Sequence, residues 1–120
     1  MLKVLVVDDD ESLAEFLAKQ LREKDYTVET VYDGVEAFLK IADTQWDALL
    51  MDIRMPKLEG LSALRIIRRL KPNLHIVMFS GAASNNEILM STRLGADTCI
   101  LKPINLENLL SILQDFSKQA

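Results

Sequence analysis

Five short apolar runs recur along the chain, each parted from the next by a longer stretch of helical spacing. The runs are KVLVV from residue 3, TVETV from residue 27, DALLM from residue 47, HIVMF from residue 75 and TCIL from residue 98. Such runs are too short for helices but suit strands buried on both faces. In the stretches between them, apolar residues return every three or four positions. In ESLAEFLAKQLREK, Leu13, Phe16, Leu17 and Leu21 fall on one helical face. Leu61, Leu64 and Ile67 do so in LSALRIIRRLK, and Leu106, Leu109, Leu110 and Leu113 in LENLLSILQDFSKQ. Strands alternating with helices imply an α/β fold, a five-stranded parallel sheet with five helices on both faces. TVETV has Glu29 at its centre and is expected at a sheet edge.

Turn residues support these divisions. Gly34 opens the second helix after Asp33, and Pro56 and Gly60 bracket the loop before the third. Pro72 and Asn73 stop the third helix, Gly95 ends the fourth, and Asn105 is placed to cap the fifth. With 120 residues and no linker, repeat or low-complexity tract, residues 1–120 read as one domain. The single cysteine excludes an internal disulfide and points to a reducing compartment. No apolar run reaches membrane-spanning length, and the N-terminus lacks the pattern of a signal segment. A cytoplasmic protein with no membrane partner is the expectation. A net charge of −4 argues against nucleic acid as a direct partner.

The strand ends carry the chemistry. In open parallel sheets, ligands bind beyond the carboxyl ends of the strands. The first strand runs straight into Asp8, Asp9 and Asp10. Two carboxylates about 4 Å apart repel by about 4 kcal/mol at an effective dielectric near 20, so either something offsets them or they point apart into water as a solvated turn and helix cap. The third strand ends at Asp52, the fourth at Ser80 with Gly81, and the fifth at Lys102 before Pro103. A hard divalent cation would neutralise the acids, and Mg²⁺ suits a few oxygen ligands shared with a phosphate group. Lys102 adds a compact positive charge on a long arm, and Ser80 a hydroxyl. Together these groups make a phosphoryl-transfer site, with the metal and Lys102 stabilising the transferring oxygens. Asp52, alone on a central strand, is the expected nucleophile.

The motifs VVDD, MDIRMPKLEG, FSG, GAD and LKP stand in order, each at a strand end. With them the chain resembles the receiver domain of two-component response regulators over essentially its full length. The resemblance implies the flavodoxin-like strand order 2-1-3-4-5. It makes Asp52 the phosphoacceptor, and Asp8 and Asp9 the acidic pair that holds Mg²⁺. Asp9, Asp52 and the main-chain carbonyl of Arg54 are the implied direct protein ligands, and Asp8 acts through water. Ser80 is the implied hydroxyl that bonds the phosphoryl oxygen, Gly81 keeps the approach open, and Lys102 binds phosphate. A cis Lys102–Pro103 peptide is also implied. The implied partners are a sensor histidine kinase or phosphotransfer protein, and an unidentified output domain or effector. The chain would then be a switch rather than an enzyme with an outside substrate, catalysing only its own phosphorylation and slow dephosphorylation.

One position departs from the family. Three residues before the lysine, where a Tyr or Phe is usual, this chain has Cys99. The pocket chemistry does not need that ring, but its coupling to the outer face does. The plain reading of Cys99 is inert packing. Asp10 falls outside the acidic pair and reads as an N-terminal helix residue favoured by the dipole. His75 and Trp46 belong at the opposite end of the sheet. The cations of RIIRRLK read as a helix C-terminus. Arg54, Ala82 and Ala83 border the pocket and are expected to tune the phosphoryl lifetime. Two other classes use similar residues. An aspartate-nucleophile phosphatase needs a second acid two residues after the nucleophile, where this chain has Arg54. A receiver-like interaction module that is never phosphorylated usually lacks one of the pocket residues retained here. The polar end SKQA suits either a single-domain regulator or the front of a longer protein.

Overall fold

Parallel pairing fixes where every strand end lies. The computed structural model of the chain describes residues 2–55, 57–81 and 85–119. Its strands are β1 (Lys3–Val7), β2 (Thr27–Val31), β3 (Ala48–Asp52), β4 (His75–Ser80) and β5 (Thr98–Leu101). The helices are α1 (Glu11–Arg22), α2 (Gly34–Asp43), α3 (Gly60–Leu70), α4 (Asn85–Arg93) and α5 (Leu106–Lys118). The strands form one parallel sheet in the order β2-β1-β3-β4-β5, as the resemblance implied. β2 is an edge, as Glu29 suggested, and β5 is the other.

Side chains alternate across the sheet and split the core into two layers. Leu5, Val7, Leu49, Met51, Ile76 and Met78 face α2 and α3, where they meet Ile41, Leu64 and Ile67. Val4, Val6, Leu50, Val77 and Phe79 face α1 and α5, where they meet Leu17, Leu21, Leu109 and Leu113. β1 and β3 are therefore buried on both faces, which is why VLVV and ALLM read as unbroken apolar runs.

Two helical faces differ from the sequence expectation. The buried residues of α1 are Ala14, Leu17, Ala18 and Leu21, while Phe16 is 53% exposed. The alanines let the helix lie close to the sheet, and Phe16 sits about 100° round the helix from Leu17. In α5, Leu109, Leu113 and Phe116 are buried, and Leu106 and Leu110 only partly so.

The caps follow the punctuation. Asp10, Asp33 and Asn105 accept from the backbone N–H of Leu13, Glu36 and Asn108 and cap α1, α2 and α5. Gly95, with φ of +112°, follows α4. Pro56 lies outside the described residues.

His75 opens β4 rather than preceding it, and its ring stacks on Phe116 with centroids 4.2 Å apart. Trp46 is buried, donates from Nε1 to the Lys40 carbonyl, and lies under the Lys3 ammonium at 4.5 Å. Arg68 explains part of the basic cluster. Its guanidinium donates to the carbonyls of Gly95, Lys71, Pro72 and Leu74 and pairs with Asp97, tying the end of α3 to neighbouring loops.

Candidate functional site

Because all five strands run the same way, their carboxyl ends share one rim. Asp8 follows β1 and its N–H donates to the Val31 carbonyl. Asp52 is the last residue of β3, pairing with Phe79, and Ser80 is the last of β4, pairing with Leu101. Lys102 follows β5, and its N–H donates to the Ser80 carbonyl at 2.8 Å. The Lys102–Pro103 peptide is cis, as expected.

The side chains of four predicted residues meet on this rim. One carboxylate oxygen each from Asp8, Asp9 and Asp52 lies within 4.8 Å of the others. Asp8 and Asp52 are buried, and Asp9 is exposed. Asp8 is fully engaged. Its Oδ1 accepts from the Asp10 N–H at 2.9 Å, and its Oδ2 accepts from Lys102 Nζ at 2.9 Å. Lys102 Nζ also lies 3.5 Å from Asp52 Oδ2. Asp10 stays outside the cluster as the α1 cap, which is its expected structural role.

One ammonium does not balance three acids. Burial pushes the Asp52 carboxyl up to about 6, and the Asp8 charge adds to the rise. Lys102 and the backbone N–H of Arg54 oppose it, and Asp9 reinforces it. Burial alone would lower the Lys102 ammonium. The Asp8 hydrogen bond and the charges of Asp52 and Asp8 outweigh burial and hold Lys102 above its ordinary value. The donor set is all hard oxygen, converging from two strand ends with surplus negative charge. That is the chemistry a divalent hard cation fits.

Ser80 reaches the rim, but its hydroxyl donates toward Glu87 Oε1 of α4 at 3.4 Å. Glu87 Oε2 in turn lies 3.2 Å from Arg54 Nε. Sequence reasoning missed Glu87, which stands seven residues after Ser80 with no local motif to mark it. The sequence marks Asp33 only as the residue before α2; besides capping that helix, it pairs with Lys57 of the loop after β3 at 3.2 Å. Among the described residues, the atom nearest a Cβ built at Gly81 is Lys102 Cδ, at 3.9 Å, an ordinary van der Waals contact. Cys99 is partly buried, and burial pushes its thiol up while a hydrogen bond with Ser91 opposes the shift. That fits a packing role. Ala82 and Ala83 lie outside the described residues.

Comparison with known proteins agrees with this geometry. A family model described as the response regulator receiver domain matches residues 4–114. The response regulator MprA of Mycobacterium ulcerans is 40% identical over 109 residues, covering 91% of this chain and 47% of that protein. The chain thus spans about half the length of the curated relatives it matches. A Francisella response regulator receiver domain superposes with a TM-score of 0.93 at 28% identity, over 99% of this chain and 98% of that one. The response regulator TrrA of Thermotoga maritima, solved with Mg²⁺ and beryllofluoride, gives 0.87 at 29% identity, over 97% and 99%.

Proposed function

Since this chain belongs to the response regulator receiver family, we propose that it is a phosphorylatable switch that accepts a phosphoryl group on Asp52. The observation that carries this reading is the convergence of Asp8, Asp9 and Asp52 with Lys102 on one rim. Asp52 is the acceptor because it is central, buried and within 3.5 Å of a cation. Its carboxylate oxygen attacks the phosphorus of a donor, such as the phosphohistidine of a partner kinase or phosphotransfer protein. The new O–P bond forms as the P–N bond breaks, and the imidazole keeps the electron pair and takes up a proton. Lys102 stays hydrogen-bonded to Asp8 and stabilises charge on the phosphoryl oxygens. The Ser80 hydroxyl supplies a second contact once it turns toward the group.

Mg²⁺ fits the acidic cluster and would supply positive charge where the donor's phosphate enters. Asp9 and Asp52 are the proposed direct side-chain ligands, with the Arg54 carbonyl. Asp8 suits a role one water removed, because both its oxygens already have partners. Hydrolysis later returns Asp52 and free phosphate, and no outside substrate is consumed. An output domain or effector reads the change, and the natural setting is the cytoplasm. Among the described residues, no helix is long and apolar enough to cross a membrane.

The test is incubation with Mg²⁺ and acetyl phosphate, read as intact mass, with Asp52→Asn and a metal-free sample alongside. One phosphoryl adduct that needs both Asp52 and the metal supports the reading. Failure to take up either acetyl phosphate or beryllofluoride would replace it with a receiver-like interaction module.

A further inference from the structure

The pocket of this chain has a second carboxylate contact that the transfer chemistry does not use. Glu87 sits in the first turn of α4, with its side chain only 17% exposed. A largely hidden carboxylate on a surface helix needs partners. Among the described residues, two of them come from the phosphoryl pocket. The Ser80 hydroxyl donates to Oε1 and the Arg54 guanidinium pairs with Oε2. These two groups belong to different strand ends, since Ser80 closes β4 and Arg54 lies just beyond β3.

A phosphoryl group and a carboxylate have the same appetite. Both take a hydroxyl donor and a guanidinium through anionic oxygens. Glu87 therefore occupies, from α4, the donors that a phosphoryl group on Asp52 would draw on. We infer that Glu87 is a positioning residue that acts as an internal competitor of the phosphoryl group. It holds Ser80 and Arg54 toward α4 while Asp52 is unmodified, and gives them up on phosphorylation. This rests on Asp52 being the acceptor, and it deepens that reading by assigning how the pocket reaches α4.

The exchange has a direction. The Arg54 side chain is 68% exposed, so its pair with Glu87 is weak and readily screened. Ser80 is 1% exposed, so its hydroxyl must find a partner in either state. The Ser80 contact is thus the one that sets the equilibrium. When the hydroxyl turns to the phosphoryl oxygens, Glu87 loses it, and new negative charge repels the carboxylate. The first turn of α4 has a reason to shift in one state and not in the other, which is the differential contact a switch requires. The device also bears on Cys99. Cys99 lies beside Ser91 of α4 and feels the Glu87 charge, at the position where an aromatic ring is usual. A carboxylate on α4 then couples pocket to helix where no ring is available to rotate.

The consequence is a measurable handicap on activation. A competitor that keeps the binding-competent arrangement in the minority lowers apparent affinity by the fraction populated. Beryllofluoride affinity in Mg²⁺ is the probe, with the wild-type chain, Glu87→Gln and Glu87→Ala compared, each in the native and the Ser80→Ala background. Circular dichroism confirms that each variant is folded. Glu87→Ala should tighten apparent binding about fivefold, and Glu87→Gln less, because the amide oxygen still accepts from Ser80. In the Ser80→Ala background the gain should fall to under half, since the main contact is already gone. Amide NMR shifts of α4 in free Glu87→Ala should move toward those of the wild-type beryllofluoride complex. An equal gain in both backgrounds would mean simple removal of a nearby charge, and would overturn the inference. So would unchanged affinity or unmoved α4 shifts. A wild-type chain that binds no beryllofluoride overturns the acceptor reading, and this inference with it. Normal wild-type binding with a null cycle overturns this inference alone.

Discussion

Asp52 is costly to ionise where it stands, and that cost is measurable without any phosphodonor. Its folded value of about 6 lies above the ordinary 3.8, so the native state binds the proton more tightly than the unfolded chain. Stability is therefore greatest below that window and falls as pH rises through about 6. In chelator, the urea midpoint should drop as pH rises from about 4 to about 6.5 and level off above. Asp52→Asn should flatten that slope and stabilise the metal-free fold at neutral pH by about 1 kcal/mol, allowing for water at the pocket mouth. Lys102 is the opposite case. Lys102→Met leaves Asp8, which is wholly buried, without its cation. A loss of about 3 kcal/mol is expected in chelator, partly restored by Mg²⁺, as read by denaturant titration. Asp8, Asp52, Ser80 and Lys102 were legible because each ends or follows an apolar run. Glu87 was not, because its reach to Ser80 depends on the path between them and on the phase at which α4 begins.

Gly60 shows what holds an element in place. It is the first residue of α3, and its N–H donates to the Ile53 carbonyl at 2.8 Å. A Cβ there would collide with the carbonyls of Asp52 and Ile53, which are backbone and cannot swing away. Gly60→Ala should cost about 2–3 kcal/mol and move the end of β3 that presents Asp52. Acetyl phosphate labelling should then slow even at temperatures where circular dichroism reports a folded chain. Asp33 acts from the neighbouring element. Asp33→Ala removes the α2 cap and the anchor of Lys57, and about 1–2 kcal/mol of stability should go with them on thermal unfolding. Strand positions were readable because a continuous apolar run has few other uses. The faces of α1 and α5 were less so. Weighting large residues led to Phe16, whereas close packing selected Ala14 and Ala18, which carry little hydrophobic signal.

At the scale of the molecule, the sheet divides the interior into two cores that share only its backbone. The alternation of elements predicted a parallel sheet, but not which strand lies beside which. Every crossover order of five such strands has the same local pattern, so the order came from the motif resemblance. Parallel order also sends the chain's functional groups to one rim and leaves Trp46 before β3, at the far end. That separation decides what can be seen by fluorescence. The lone indole is shielded, pinned to the Lys40 carbonyl and covered by an ammonium. Its emission should change fully when denaturant opens the core and stay flat when Mg²⁺ or beryllofluoride enters the pocket. An optical assay built on this tryptophan would record the life of the fold and be blind to the signal, so a reporter of switching has to be introduced on α4.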